Sequence, residues 1–320
     1  MHLSGVLFFP VTPFDGDGRV NTAALAEHLD RGLSHGPGGV FAACGTGELT
    51  SLSADEQAAV VRTAVQQTAG RVPVVAGAGG PLGTALTHAR QAAEAGADGL
   101  LLLPPYLAQG TREGLRDYVS AVAAAGLPVI LYQRGPLVLE PAQAVELARL
   151  PGVVGLKDGL GDIDRMQRIV LAVRAALGEE FTFFNGLPTA ELTQPAYRAV
   201  GVSLYSSAAF CFVPEVASAF QRALEDGPAR DPELVRRLLA EFYAPLVELR
   251  SAVPGYAVSL VKAAVRARGL AAGPVRPPLV EPTAAHLGEL ERITAAGLAA
   301  VRASGTAPGV PGAPAPEAGR

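Results

Sequence analysis

The chain has 320 residues, nearly half of them apolar, and carries 24 arginines, two lysines and 30 acidic residues for a formal net charge of −4. That length holds one large domain, or a large domain with an appendage. The weak acidity, with no basic stretch interleaved with aromatics, argues against a nucleic-acid surface. Two cysteines, Cys44 and Cys211, are too few for a disulfide framework and suit a reducing, cytoplasmic setting. No basic leader opens the sequence, and the apolar runs are too short to span a bilayer.

In chain order, eight short apolar runs read as strands: residues 6–11, 40–44, 73–76, 99–103, 128–132, 153–157, 182–185 and 202–205. They are continuously apolar rather than alternating, as parallel strands covered on both faces should be. Segments with helical spacing separate them, over 21–33, 53–68, 84–95, 111–125, 140–150, 163–177 and 189–200, and an eighth follows over 214–224. Asn21 reads as a helix cap, Ser53 with Glu56 as a capping box, and Pro214 as a first-turn proline. Eight strand–helix repeats predict a (β/α)8 TIM barrel over residues 1–228. An open doubly wound sheet is the rival, but strand 1 runs into Thr12-Pro13-Phe14-Asp15-Gly16 without a G-x-G-x-x-G turn. Beyond about residue 228 the strands stop. Helical patterns over 231–249, 255–268 and 282–302 predict a C-terminal three-helix region, 229–303. Residues 304–320, with eight Pro or Gly in seventeen, read as a disordered tail.

In such a barrel the active site forms at the C-terminal ends of the strands. Lys157 ends strand 6, and the only other lysine of the chain is Lys262. Arginine cannot act as a neutral amine nucleophile, since its pKa stays above about 12. A buried Lys157 would have its pKa lowered and supply the free amine that attacks a ketone. The plainer reading has Lys157 paired with Asp158 or reaching to solvent.

Tyr132 ends the neighbouring strand, as a proton shuttle or as an amphipathic residue at the core edge. Thr46 and Gly47, after strand 2, offer a hydroxyl and backbone N–H groups to a carboxylate, or form a plain turn. Arg134 is a second carboxylate ligand or a surface arginine. Asn185, Gly186, Ser206 and Ser207 lie at the ends of strands 7 and 8, where polar side chains bind substrate or cap helices. The five histidines contain no H-E-x-x-H, so no metal is expected.

These residues together resemble the pyruvate-type class I lyases, the family of dihydrodipicolinate synthase and N-acetylneuraminate lyase. The likeness covers nearly all of residues 3–302. The resemblance implies a (β/α)8 barrel with three C-terminal helices, a Schiff-base lysine at Lys157, a proton-relay tyrosine at Tyr132, and a carboxylate-binding turn at Cys44-Gly45-Thr46-Gly47-Glu48. The first two positions of that turn depart from the family pattern. Closer still is the 5-dehydro-4-deoxyglucarate dehydratase branch, through Gly5–Asp15, Gly155–Asp162, Phe184–Glu191, Tyr205–Ala208 and Pro254–Lys262. Leu107 stands where dihydrodipicolinate synthases carry a second tyrosine, which argues against that activity. Gly135-Pro136 is a further departure within the branch.

The resemblance implies decarboxylating dehydration of a keto-sugar diacid without metal or organic cofactor, in a cytoplasmic homo-oligomer (dimer or tetramer). It places Thr46, Gly47, Arg134, Asn185, Gly186 and Ser206 as binding residues, and gives Lys262 a packing or assembly role. A class I aldolase acting on another 2-keto-3-deoxy acid, or a barrel that only binds a keto acid, remain alternatives.

Overall fold

The structure, a computed structural model, describes residues 1–105 and 110–305. Eight parallel strands close into a barrel in sequence order. They are β1 (Leu7–Phe8), β2 (Gly39–Ala42), β3 (Val74–Ala78), β4 (Gly99–Leu102), β5 (Val129–Gln133), β6 (Val153–Asp158), β7 (Thr182–Asn185) and β8 (Leu204–Ser207). The helices α1 (Thr22–Leu33), α2 (Ala54–Thr68), α3 (Leu82–Glu94), α4 (Arg112–Ala123), α5 (Pro141–Ala148), α6 (Ile163–Leu177), α7 (Gln194–Ala199) and α8 (Pro214–Leu224) alternate with them. The expected (β/α)8 barrel is therefore present. Leu107 and most of the Pro/Gly/Ala-rich tail, from residue 306 onward, lie outside the described residues.

Alternation along each strand divides two apolar layers. Leu7, Phe41, Val75, Leu101, Ile130 and Leu204 fill the barrel interior. Their neighbours Phe8, Val40, Val74, Leu100, Val129 and Tyr205 pack outward against the helices. The helix starts follow local chemistry. The Asn21 side chain accepts from the Ala24 amide at 3.0 Å, and Ser53 and Glu56 form the reciprocal capping box.

Strand bounds differ from the sequence reading most at β1, which covers only Leu7–Phe8 of the run 6–11, and at β8. Beyond the apolar run 202–205, β8 includes Ser206 and Ser207, which the sequence reading put at the strand's end; they pair with Leu7 and Phe8 to close the barrel. Val202 instead completes the turn after α7, donating its amide to the Tyr197 carbonyl at 2.9 Å. Ser206 is thus held on the closing strand.

The C-terminal helices are α9 (Pro232–Leu238), α10 (Ala244–Ser251), α11 (Tyr256–Ala267) and α12 (Ala284–Ala303). Where the sequence predicted one helix over 231–249, a π-turn at Leu239–Tyr243 joins α9 to α10. Leu238, Phe242, Leu260 and Ile293 belong to the same apolar core as the outer barrel layer, so these helices buttress the barrel. They also reach its mouth. Leu246 and Arg250, four apart on α10, and Ala257, Val258 and Val261 on α11 all wall the cavity there. No helix among the described residues is long and apolar enough to cross a membrane.

Candidate active site

A cavity of about 330 Å³ opens at the C-terminal ends of the strands, with Lys157 in its wall. Register fixes the centre: Tyr132 on β5, Lys157 on β6 and Phe184 on β7 lie abreast, and Tyr132 and Phe184 belong to the inner layer. Lys157 is 5 % exposed, and its Nζ sits 4.3 Å from the Phe9 ring centroid and 4.4 Å from that of Tyr132. Burial disfavours the ammonium and brings the amine down to about 7, with the Cys44 thiol opposing the shift and the Arg134 charge adding to it. At neutral pH a large share of the amine is therefore unprotonated and nucleophilic.

Asp158 does not pair with Lys157. One residue further along β6, it faces the other side of the sheet. There it accepts from the Gln133 side chain at 2.7 Å, from the Leu160 amide at 3.1 Å and from the Tyr197 hydroxyl. Among the described residues no carboxylate forms an ion pair with the lysine, so desolvation sets its protonation.

The Tyr132 hydroxyl donates to the Gly186 carbonyl at 2.6 Å and accepts from Arg134 Nη1 at 2.9 Å. Burial raises the phenol pKa, and the adjacent guanidinium opposes that rise, which lowers the cost of a transient phenolate. Gly186 is fitted to this contact. A Cβ there would meet Lys157 Cγ at 2.6 Å, Lys157 Cε at 2.7 Å and the Asp158 carbonyl at 2.8 Å, so no larger residue fits beside the lysine.

Thr46 and Gly45 line the cavity. Gly47 is set behind them, its carbonyl accepting from Thr12 Oγ1 at 2.7 Å. Glu48 at the end of this turn is fully buried and in the left-handed region, φ 57°. Its carboxylate accepts from Lys262 Nζ on α11 at 2.8 Å and from the Arg276 amide at 3.0 Å. Lys262 therefore clamps the turn to the C-terminal helices, a specific form of the packing role expected for it. Burial lowers its pKa to about 8 although Glu48 opposes the shift.

Ser206 lines the cavity on the inner face of β8, whereas Ser207 faces away and donates to buried Glu191 at 2.5 Å. Arg134 also lines the cavity. Asn185 requires a correction. It is fully buried behind the wall, its amide donating to the Ala190 carbonyl at 2.9 Å, Thr193 Oγ1 at 3.0 Å and Gln194 Oε1 at 3.1 Å, while its carbonyl accepts from the Leu187 amide. With those groups spent inside the protein, Asn185 orients the loop after β7, and it is not among the residues that line the cavity.

Cys44 is a packing residue. It is wholly buried, and burial pushes its thiol up to about 12. Among the described residues no cluster of three or more His, Cys, Asp or Glu is arranged to hold a metal ion.

Phe9, Leu246 and Arg250 line the cavity and escaped the sequence reading. Phe9 looked like ordinary strand core. Leu246 and Arg250 fall in the region expected only to pack, and no local signal separates Arg250 from 23 other arginines.

A (β/α)8 barrel with a desolvated lysine and a neighbouring tyrosine in its mouth defines an imine-forming lyase of class I. The chain belongs to the dihydrodipicolinate synthetase family, whose sequence profile matches residues 2–296. It is 58 % identical over 292 residues to a Streptomyces coelicolor protein named "Probable 5-dehydro-4-deoxyglucarate dehydratase 1", covering 91 % of this chain and 92 % of that one. A Streptomyces griseus protein named "Probable 5-dehydro-4-deoxyglucarate dehydratase" is 55 % identical over 299 residues, with 93 % and 92 % covered. Among solved structures, dihydrodipicolinate synthase from Oceanobacillus iheyensis superposes with a TM-score of 0.83 at 25 % identity, covering 92 % of this chain and 96 % of that one.

Proposed function

We propose that this protein is a decarboxylating dehydratase that converts 5-dehydro-4-deoxy-D-glucarate to 2,5-dioxopentanoate, CO2 and water. The carrying observation is Lys157, an amine held near pKa 7 by burial, beside the Tyr132 phenol in the barrel mouth. The identity of more than half the residues with relatives bearing the dehydratase name supports the choice of substrate.

Lys157 Nζ attacks the C5 ketone, and loss of water gives a cationic imine. The Phe9 and Tyr132 rings against Nζ favour that cation. The imine acidifies C4, and loss of the C4 proton gives an enamine that expels the C3 hydroxyl as water. The resulting iminium is conjugated through C4 and C3. Electrons of the C1–C2 bond then form C2=C3, the C3=C4 pair moves to C4=C5, and the imine pair moves to nitrogen as the C1 carboxylate leaves as CO2. Reprotonation and hydrolysis release 2,5-dioxopentanoate and the free lysine. The imine is the electron sink, so these steps call on no metal or organic cofactor.

Tyr132 moves protons during imine formation, and Arg134 steadies its oxygen. Thr46 and the backbone of its turn hold the carboxylate next to the ketone, and the Gly186 carbonyl aligns the phenol. Ser206 offers a hydroxyl to the substrate's own hydroxyl groups. The protein acts as a cytoplasmic homo-oligomer, and sedimentation of the purified chain tests the assembly.

The main test combines two measurements. Borohydride added with substrate should attach the reduced adduct's mass to Lys157, and stoichiometric CO2 should accompany 2,5-dioxopentanoate. Pyruvate as a product without CO2 would instead assign an aldolase, and wild-type turnover by Lys157→Ala would end the reading.

A further inference from the structure

The cavity wall carries Lys157, Arg134 and Arg250 and, among the described residues, no carboxylate. Arg134 follows β5, whereas Arg250 comes from α10 in the C-terminal region. Most arginines of the chain form ion pairs, among them Arg112 with Glu146, Arg165 with Glu140 and Arg276 with Glu56. Neither Arg134 nor Arg250 has a carboxylate partner among the described residues. Their recorded hydrogen bonds are to neutral oxygens: Arg134 Nη1 to the Tyr132 hydroxyl, and Arg250 Nη1 to the Pro188 carbonyl. Burial lowers the Arg250 pKa, and the Arg134 charge lowers it further.

Arg134 is exposed at the cavity mouth and Arg250 is half-buried, so two like charges share a wall without a carboxylate to offset them, and an anion entering there is attracted by both. Each retains N–H groups beyond the one that anchors it, enough for a forked contact to a carboxylate. The Pro188 bond holds Arg250 in place before ligand arrives, which reduces the ordering cost of binding.

We propose that Arg250 is a specificity-determining residue that, with Arg134, grips the second carboxylate of a dicarboxylic keto acid while Lys157 engages its ketone. The inference rests on the imine reading of Lys157. It gives the C-terminal helices a direct part in substrate choice: the barrel supplies the chemistry, and α10 supplies the group that requires a diacid. A carboxylate held at both oxygens also has its rotation about the adjoining C–C bond fixed, and that is the bond broken in decarboxylation.

The test compares 2-oxoadipate, which is the proposed substrate without its two hydroxyl groups, with pyruvate, which lacks the second carboxylate. For each acid, the concentration giving half-maximal borohydride labelling of Lys157 is measured. Wild type should require far less 2-oxoadipate than pyruvate. Arg250→Gln should raise the 2-oxoadipate concentration roughly ten- to hundredfold, the size of one charge-assisted carboxylate contact, and leave the pyruvate value unchanged. Arg250→Lys, which keeps the charge and a donor for Pro188, should lose the diacid preference only in part and covers the case in which the glutamine variant folds poorly. An unchanged 2-oxoadipate value in Arg250→Gln, or an equal weakening for both acids in both variants, overturns the assignment. Labelling does not require turnover, so a wild type that labels with 2-oxoadipate but releases no CO2 from the sugar diacid would refute the proposed reaction and leave this result standing.

Discussion

Holding Lys157 as a free amine should cost the protein stability, and the cost should depend on pH in a calculable way. The unfolded lysine keeps its ordinary pKa of 10.5, whereas burial brings the folded one to about 7. Between those values the unfolded chain binds a proton that the folded chain has released. The folded state therefore gains stability as pH rises through this window and loses it as pH falls. Integrating the linkage relation over the two pKa values gives a penalty of about 4 kcal/mol at pH 7 and about 1 kcal/mol at pH 10. Lys157→Met removes the titrating group and leaves an unbranched chain whose sulfur packs against Phe9 and Tyr132. The variant should be inactive yet more stable than wild type at pH 7, and the advantage should shrink by about 3 kcal/mol at pH 10. Urea unfolding of both proteins at several pH values and one fixed protein concentration measures this directly. A difference that stays constant from pH 7 to 10, or a variant less stable at pH 7, would show that the lysine is not held deprotonated by burial.

Three further expectations come from neighbouring contacts. Lys262→Met strands the buried Glu48 carboxylate and should cost about 3–5 kcal/mol. Adding Glu48→Gln should recover part of that loss, and a double-mutant cycle in urea that shows no coupling would argue against the clamp. Tyr132→Phe deletes the hydroxyl between Gly186 and Arg134 and should lower kcat by about 10²–10⁴ with little change in stability; steady-state kinetics with intact borohydride labelling at long times would confirm it. Gly186→Ala drives a methyl into the Lys157 side chain and should slow imine labelling of a still-folded protein, whereas normal labelling kinetics would mean that the glycine is not what sets the lysine's position.

Much of this protein is determined locally. Continuous apolar runs separated by amphipathic, well-capped segments specify eight βα units, because strands buried on both faces need such runs and helices covering them need one apolar stripe. The position of Lys157 was equally legible, since a sequence that uses arginine almost everywhere leaves one lysine at a strand's C-terminal end. Strand parity then separates Lys157 from Asp158, a distinction that residue types alone left open.

Tertiary structure decided what depends on contacts between distant segments. Only barrel closure fixed what Ser206 pairs with, because its partner Leu7 lies about 200 residues away in sequence. Asn185 has the composition of a ligand-binding residue, but its partners Ala190, Thr193 and Gln194 consume its polar groups once the loop folds over it. The buried Lys262–Glu48 pair and the cavity wall that Arg134 shares with Arg250 join residues more than 100 positions apart. Sequence patterns of period 2 and 3.6 report which face of an element is buried, but not which foreign side chain meets it there.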